Sequence, residues 1–342
     1  MSTFTRILSA VLSFLLSLFG ISAPTVADKA EDFRITAYIV MGNVRKPSDL
    51  DPSHLSQLTD VILFSMATFN TEGEVILAED FDGKMDIFRS ALGDSTPNVY
   101  LNLIGPGAVS GSTWEEQMDS QSIRHEAAFA SGKLEGNILA VLQKYGFDGI
   151  FFDYEYPNTQ PHWDAFSDYL VKLDGVLGDD YLIGTAVSAW NCHPSKKAIA
   201  VTDLATVMAY DIWDNQGNHS PFGLSKSTMR KARSLGYDKK QLDMGIPFYA
   251  RPTTQEAYWY GYNGWYDKLD EKGLCVDPDT GLTFSFNTPE LVAKKTEWAI
   301  RQGYGGIMVW HYGCDVPADN SASLFNAAYN TKTEMMQNNL LF

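Results

Sequence analysis

Tyr145–Pro157 reads YGFDGIFFDYEYP. A turn carrying Gly146 and Gly149 leads into an apolar run, Ile150, Phe151 and Phe152, which ends on Asp153, Tyr154 and Glu155. Side chains alternate across a strand, so Phe151, Asp153 and Glu155 share one face, with the two carboxyls about 6 to 7 Å apart along it. Phe152 and Tyr154 fall on the opposite face, as core residues should. Two acids at that spacing influence each other's ionisation, and the less solvated one is pushed toward its protonated form near neutral pH. One group is then able to donate a proton while the other stays charged. The plainer alternative is a strand end whose acids face solvent or cap the next helix.

Outward from this strand, short apolar runs alternate with amphipathic stretches, and no low-complexity linker divides them. Eight runs are expected as strands: 33–41, 60–68, 98–104, 149–153, 181–188, 205–210, 242–249 and 305–311. Helices are expected at 81–92, 123–145, 162–177, 225–235, 289–302 and 321–335. Several end on glycine (Gly93, Gly146, Gly178, Gly236, Gly303), the residue that tolerates the left-handed conformation of a helix end. Near-continuous apolar strands separated by helices suit a parallel sheet buried on both faces. Eight such units predict an α/β fold, a single-domain (β/α)8 TIM barrel, with an open doubly wound sheet as the rival.

Chemistry in a barrel sits at the C-terminal ends of its strands. Strand one carries Tyr38, strand four Asp153 and Glu155, strand six Met208, Tyr210 and Asp211, strand seven Tyr249 and Arg251, and strand eight Trp310. Each alone has an ordinary reading: a core tyrosine, a turn cap, a packing tryptophan. Their recurrence at one rim, on independent strands, points to a site suited to gripping a sugar.

The chain has 342 residues, 45% of them hydrophobic and 13% aromatic, enough for a large core. Its formal charge of −16 argues against nucleic acid or an anionic membrane as partner, since both need a basic surface. The first twenty residues carry Arg6 and then a serine-flecked apolar run, followed by small residues up to Ala27. That layout predicts a secretory signal peptide at 1–27, and secretion to an extracellular or periplasmic space with no membrane attachment after cleavage. An uncleaved N-terminal anchor is the alternative. The catalytic domain is then 28–342, expected as a monomer.

Export would permit a disulfide among Cys192, Cys275 and Cys314, Cys275 with Cys314 for example, and three free thiols are the other reading. The six histidines show no metal-ligand spacing, and no cofactor is expected. Asp277–Gly281 resembles a calcium loop but lacks the later ligands, so a turn is expected there. No phosphate loop, dinucleotide fingerprint or G-x-S-x-G is present.

The run Asp148–Glu155, DGIFFDYE, resembles the D-x-x-D-x-D-x-E signature of glycoside hydrolase family 18, the chitinases and their relatives. Asp148, Asp153 and Glu155 match, and Phe151 stands where the family has its middle Asp. VMAYD at 207–211, GIPFYAR at 245–251 and GGIMVW at 305–310 resemble the family's strands six, seven and eight. VYLNLIGPG at 99–107 sits where the family has an S-x-G-G strand, without the serine and with Pro106 among the glycines. The likeness runs from strand one to strand eight, nearly the whole mature chain.

Two carboxyls two residues apart on one strand are poorly placed to flank a glycosidic bond from opposite sides, and this family instead uses substrate assistance. The resemblance implies Glu155 as general acid and then base. It also implies Asp153 as acceptor of the substrate's acetamido N–H, and Tyr210 as donor to the acetamido oxygen. Asp211 and Met208 would line the same subsite, Trp310 its floor, with Tyr249, Arg251 and Tyr38 as further contacts. The implied substrate is chitin or another N-acetylglucosamine-containing glycan. The rivals are an endo-β-N-acetylglucosaminidase acting on the N-glycan core and a chitinase-like lectin that has kept the cleft without turnover.

Phe151 pulls the ionisation of Asp153 two ways, removing a like charge while desolvating the carboxyl, and an altered pH profile is expected. The aromatic stretch AYWYGYNGWY at 257–266 is expected either to stack on sugar or to fold over its own small cluster. The segment around it looks too short for the small α+β insertion of some family members, implying an open cleft and internal cutting.

Overall fold

The computed structural model describes residues 25–337. Eight parallel strands close into a barrel: β1 (Arg34–Val40), β2 (Asp60–Phe69), β3 (Asn98–Ile104), β4 (Gly149–Phe152), β5 (Leu182–Val187), β6 (Leu204–Val207), β7 (Leu242–Pro247) and β8 (Gly306–Trp310). Neighbours pair in sequence order, and the ring is sealed where β1 pairs β8 in the register Arg34↔Gly306 and Thr36↔Met308. The expected (β/α)8 barrel is therefore the observed fold, and each expected strand lies within a few residues of an observed one.

Alternation along the strands divides the apolar residues into two sets. Tyr38, Ile62, Tyr100, Phe151, Leu204 and Met308 pack together inside the barrel, while their strand neighbours, among them Ile35, Val61, Ile150, Phe152 and Ile307, meet the helices. The interior is closed at the bottom by Arg34, whose Nη2 lies 2.6 Å from Asp243, and by the Thr36 hydroxyl, which donates to Asp243 at 2.7 Å. Burial lifts the Asp243 carboxyl to about 6 even though Arg34 and Thr36 work against that rise.

One local expectation is corrected. The stretch 123–145 is not one helix but two, Trp114–Ala130 and Leu134–Tyr145, because Gly132 adopts φ 68° between them. The first begins at a capping box, Thr113 with Glu116, nine residues before the expected start. The segment between β7 and β8 has no α-helix before Pro289, yet it builds a small antiparallel sheet of Tyr249–Pro252, Tyr260–Gly261, Leu274–Val276 and Thr283–Ser285.

Residues 1–24 of the expected signal peptide lie outside the described residues, and the expected cleavage point falls in a short helix, Val26–Glu31. No described helix is long and apolar enough to cross a membrane. The three cysteines are unpaired and buried.

Candidate active site

The strand ends converge on one cavity of about 360 Å³ at the C-terminal mouth of the barrel. All nine site residues expected from the sequence line it: Tyr38, Asp153, Glu155, Met208, Tyr210, Asp211, Tyr249, Arg251 and Trp310. Tyr156, Ser188, Trp190 and Ile212, not singled out from the sequence, complete the lining with Trp259 of the aromatic stretch 257–266.

Strand β4 ends at Phe152, but its alternation carries on. Phe151 is fully buried in the barrel interior, with its ring edge-on to Tyr38 at 5.6 Å and to Tyr100 at 6.4 Å. Gly184 makes room for it, since a Cβ there would lie 2.3 Å from Phe151 Cδ2. Asp153 sits above this apolar ring, half-buried, and Glu155 is exposed at the mouth. Both carboxyls line the same cavity. Burial, and then the charge of Glu155, push the Asp153 carboxyl well above the usual carboxylate range. Desolvation therefore wins the competition left open by Phe151.

The loop after β6 positions the next group. Tyr210 enters the cavity over Gly245, where a Cβ would lie 2.8 Å from Tyr210 Cε1 and 2.4 Å from the Val207 carbonyl oxygen. Burial raises its phenol well above the ordinary value, so it remains a hydrogen-bond donor. Asp211 follows with φ 53°. Arg251 grips both its oxygens at 2.8 Å, Tyr249 donates to Oδ1 at 2.6 Å, and the His219 ring lies 3.2 Å away. Burial opposes the charge of Asp211, but the bonds from Arg251, His219 and Tyr249 outweigh it and hold the carboxyl well below the usual range. Asp211 is thus a committed carboxylate with its lone pairs in use.

Trp310 lines the cavity, with Tyr38 and Phe64 each edge-on to it at 5.0 Å. Tyr38 itself is buried. Two exposed tryptophans flank the mouth: Trp190, 59% exposed, beyond β5, and Trp259, 50% exposed, just before the strand Tyr260–Gly261 of the small outer sheet. The aromatic stretch around Trp259 divides between its two expected roles. Tyr258 and Trp259 face outward, while Tyr260 stacks on Trp265 at 4.9 Å and Tyr262 is buried. Only the tertiary fold separates them, because eight of the ten residues of that stretch are aromatic or glycine.

The peptides Glu155–Tyr156 and Trp310–His311 at the rim are cis. Among the described residues no group of three or more His, Cys, Asp or Glu side chains is arranged to hold a metal ion.

The profile of "Glycosyl hydrolases family 18" matches residues 34–315, from β1 to just beyond β8. Chitinase 63 of Streptomyces plicatus is 29% identical over 225 residues, a match spanning 49% of this chain and only 36% of that protein. Chitinase 1 of Aphanocladium album is 22% identical over 350 residues, covering 80% of this chain and 79% of that one. In fold, the chain is similar to the chitinase ChiB of Flavobacterium johnsoniae, with a TM-score of 0.70, 20% identity, and coverage of 89% and 94% of the two chains. It is also similar to a class V chitinase of Nicotiana tobaccum solved in complex with NAG4, with a TM-score of 0.69, 16% identity, and coverage of 88% and 99%.

Proposed function

The chain belongs to glycosyl hydrolases family 18, and from this we propose that it is a secreted, monomeric chitinase. It hydrolyses β-1,4 bonds of N-acetylglucosamine polymers or oligomers with retention of configuration by a substrate-assisted route. The observation that carries this reading is how the three cavity carboxyls are employed. Burial and the charge of Glu155 raise the proton affinity of Asp153 on one side, and Asp211 is taken up by Arg251, Tyr249 and His219. Among the described residues no further carboxylate lines the cavity, which supports the substrate's own 2-acetamido oxygen as the nucleophile.

In this scheme a sugar lies on Trp310 with its acetamido group directed toward Tyr210 and Asp153. The acetamido N–H donates to Asp153 and favours its carboxylate form, with the proton for the leaving group on Glu155. Glu155 gives that proton to the leaving oxygen as the C1–O bond breaks, and the acetamido oxygen closes on C1 to form an oxazolinium ion. Tyr210 donates to the acetamido oxygen and aims it. Glu155, now a carboxylate, takes a proton from water as the water opens the ring at C1. Interactions realised only at this stage lower the barrier, by about 2 to 4 kcal/mol each on the scale of oxyanion donors. Secretion is supported by Arg6, the apolar run and the small residues up to Ala27.

Residues 28–342 and the Glu155→Gln variant, given chitin oligomers and an N-glycosylated protein with products weighed by mass spectrometry, test the reading. Cleavage of the oligomers, reduced roughly 10²- to 10⁴-fold in the variant, is expected. Release of N-glycans alone would make the protein an endo-β-N-acetylglucosaminidase. Binding without cleavage by either form would make it a lectin.

A further inference from the structure

Lys295 lies on the helix Pro289–Gln302, outside the barrel, and is fully buried. No carboxylate pairs with it among the described residues. Its ammonium instead meets three neutral oxygens: the Ser220 carbonyl at 2.7 Å, the Ser220 hydroxyl at 3.1 Å and the Asn287 side-chain oxygen at 2.7 Å. That matches its three hydrogens. Burial lowers the ammonium to about 7, and the three acceptors favour keeping the proton. A buried cation without a counter-ion is costly, and a methionine of similar length would pack there without that cost.

What Lys295 holds explains its presence. Ser220 sits in the left-handed region at φ 50°, its N–H donates to the Ile212 carbonyl at 2.7 Å, and its hydroxyl donates to the Ala209 carbonyl at 2.6 Å. Ala209 is the residue between Met208 and Tyr210. His219, next to Ser220, is anchored through its N–H to the Ser285 hydroxyl at 3.1 Å and brings its ring to Asp211. The strand bearing Tyr210 and Asp211 has ended at Val207, so no sheet ladder fixes these two residues.

We propose that Lys295 is a positioning residue: through Ser220 it clamps the 209–212 segment, setting where Tyr210 and Asp211 stand in the cleft. The role given to Tyr210 rests on the proposed function; the clamp itself does not.

The full chain is compared with Lys295→Met, with Ser220→Ala, which removes the hydroxyl joining Lys295 to the Ala209 carbonyl while leaving the bond from Lys295 to the Ser220 carbonyl, and with both changes in a Tyr210→Phe background. Amide hydrogen exchange reads the clamp without turnover: at Ala209, Asp211 and Ile212 it is expected to quicken about tenfold in both variants, with β1 to β4 unchanged. In activity, kcat is expected to fall about tenfold with KM moved less than about twofold. In the Tyr210→Phe background the further loss from Lys295→Met should shrink to under about twofold. Unchanged exchange in Ser220→Ala, or a Lys295→Met loss that persists undiminished in Tyr210→Phe, would overturn the proposal. A wild type without turnover counts against the proposed function alone, and the exchange result then decides on Lys295.

Discussion

Asp153 shows how one side chain can be costly to the fold and useful to the site. Its carboxyl sits over the ring of Phe151 and against Glu155, so in the folded protein it keeps its proton well above the ordinary value of 3.8. Between that value and its raised one the native state binds more protons than the unfolded chain, and stability falls as pH rises through the interval. Below about 3.8 both states are protonated and the penalty vanishes. Asp153→Asn is therefore expected to abolish turnover yet raise the melting temperature at pH 8, with no gain at pH 3.5. Thermal denaturation at the two pH values checks this, and a variant that is less stable at pH 8 contradicts it. The same raised proton affinity displaces the alkaline limb of activity upward, since catalysis needs one proton on the pair.

The helix Trp114–Ala130 acts as a strap for the chain that leaves β4. His125 stacks flat on Tyr154, with centroids 3.9 Å apart and planes within 3°. Ser122 accepts from the Tyr154 hydroxyl at 2.8 Å, and Gln121 reaches the Glu155 carbonyl at 3.3 Å. The strap also bears on the strand-three glycine. A Cβ on Gly105 would fall 1.9 Å from His125 Nε2, so the glycine is required by the histidine beside it. Gly105→Ala is expected to cost about 1 to 3 kcal/mol in urea denaturation, by forcing His125 off its stack. Adding His125→Ala should recover part of that loss, a non-additive result for neighbours in contact. A double variant at the sum of the two singles would refute the contact as the cause.

Barrel closure brings the two ends of the described chain together. The last helix, Leu324–Gln337, packs on the helix Pro289–Gln302 and on the first, Val26–Glu31, and Lys332 donates to the Phe33 carbonyl at 2.7 Å. Asp315 caps this last helix through the backbone of Leu324 and Phe325, at 3.0 and 2.9 Å. Phe325 is fully buried between Phe248, at 4.9 Å, and His54, at 5.0 Å. Phe325→Ala should cost about 3 to 5 kcal/mol, measured as a lower urea midpoint at unchanged slope. A loss under about 1 kcal/mol would show that the helix adds little to closure.

Strand positions, their number and the inward-facing residues were legible in the sequence, because side-chain direction has a period of two and the strand–helix unit repeats eight times. The same regularity made Asp153, Glu155, Tyr210, Asp211 and Trp310 legible as neighbours, since all stand at strand ends. Trp190 and Trp259 carried no such signal, lying on irregular segments where no period says which way a ring points. Nor did Lys295, which reads as one more helical lysine until the fold buries it against Ser220, 75 residues away. What the tertiary structure alone decided is where the titratable groups stand: the raised proton affinity of Asp153, the carboxylate of Asp211 held by Arg251 and Tyr249, the buried Lys295 on neutral oxygens. Those depend on distances and burial in three dimensions, and Coulomb energy and desolvation take no account of separation along the chain.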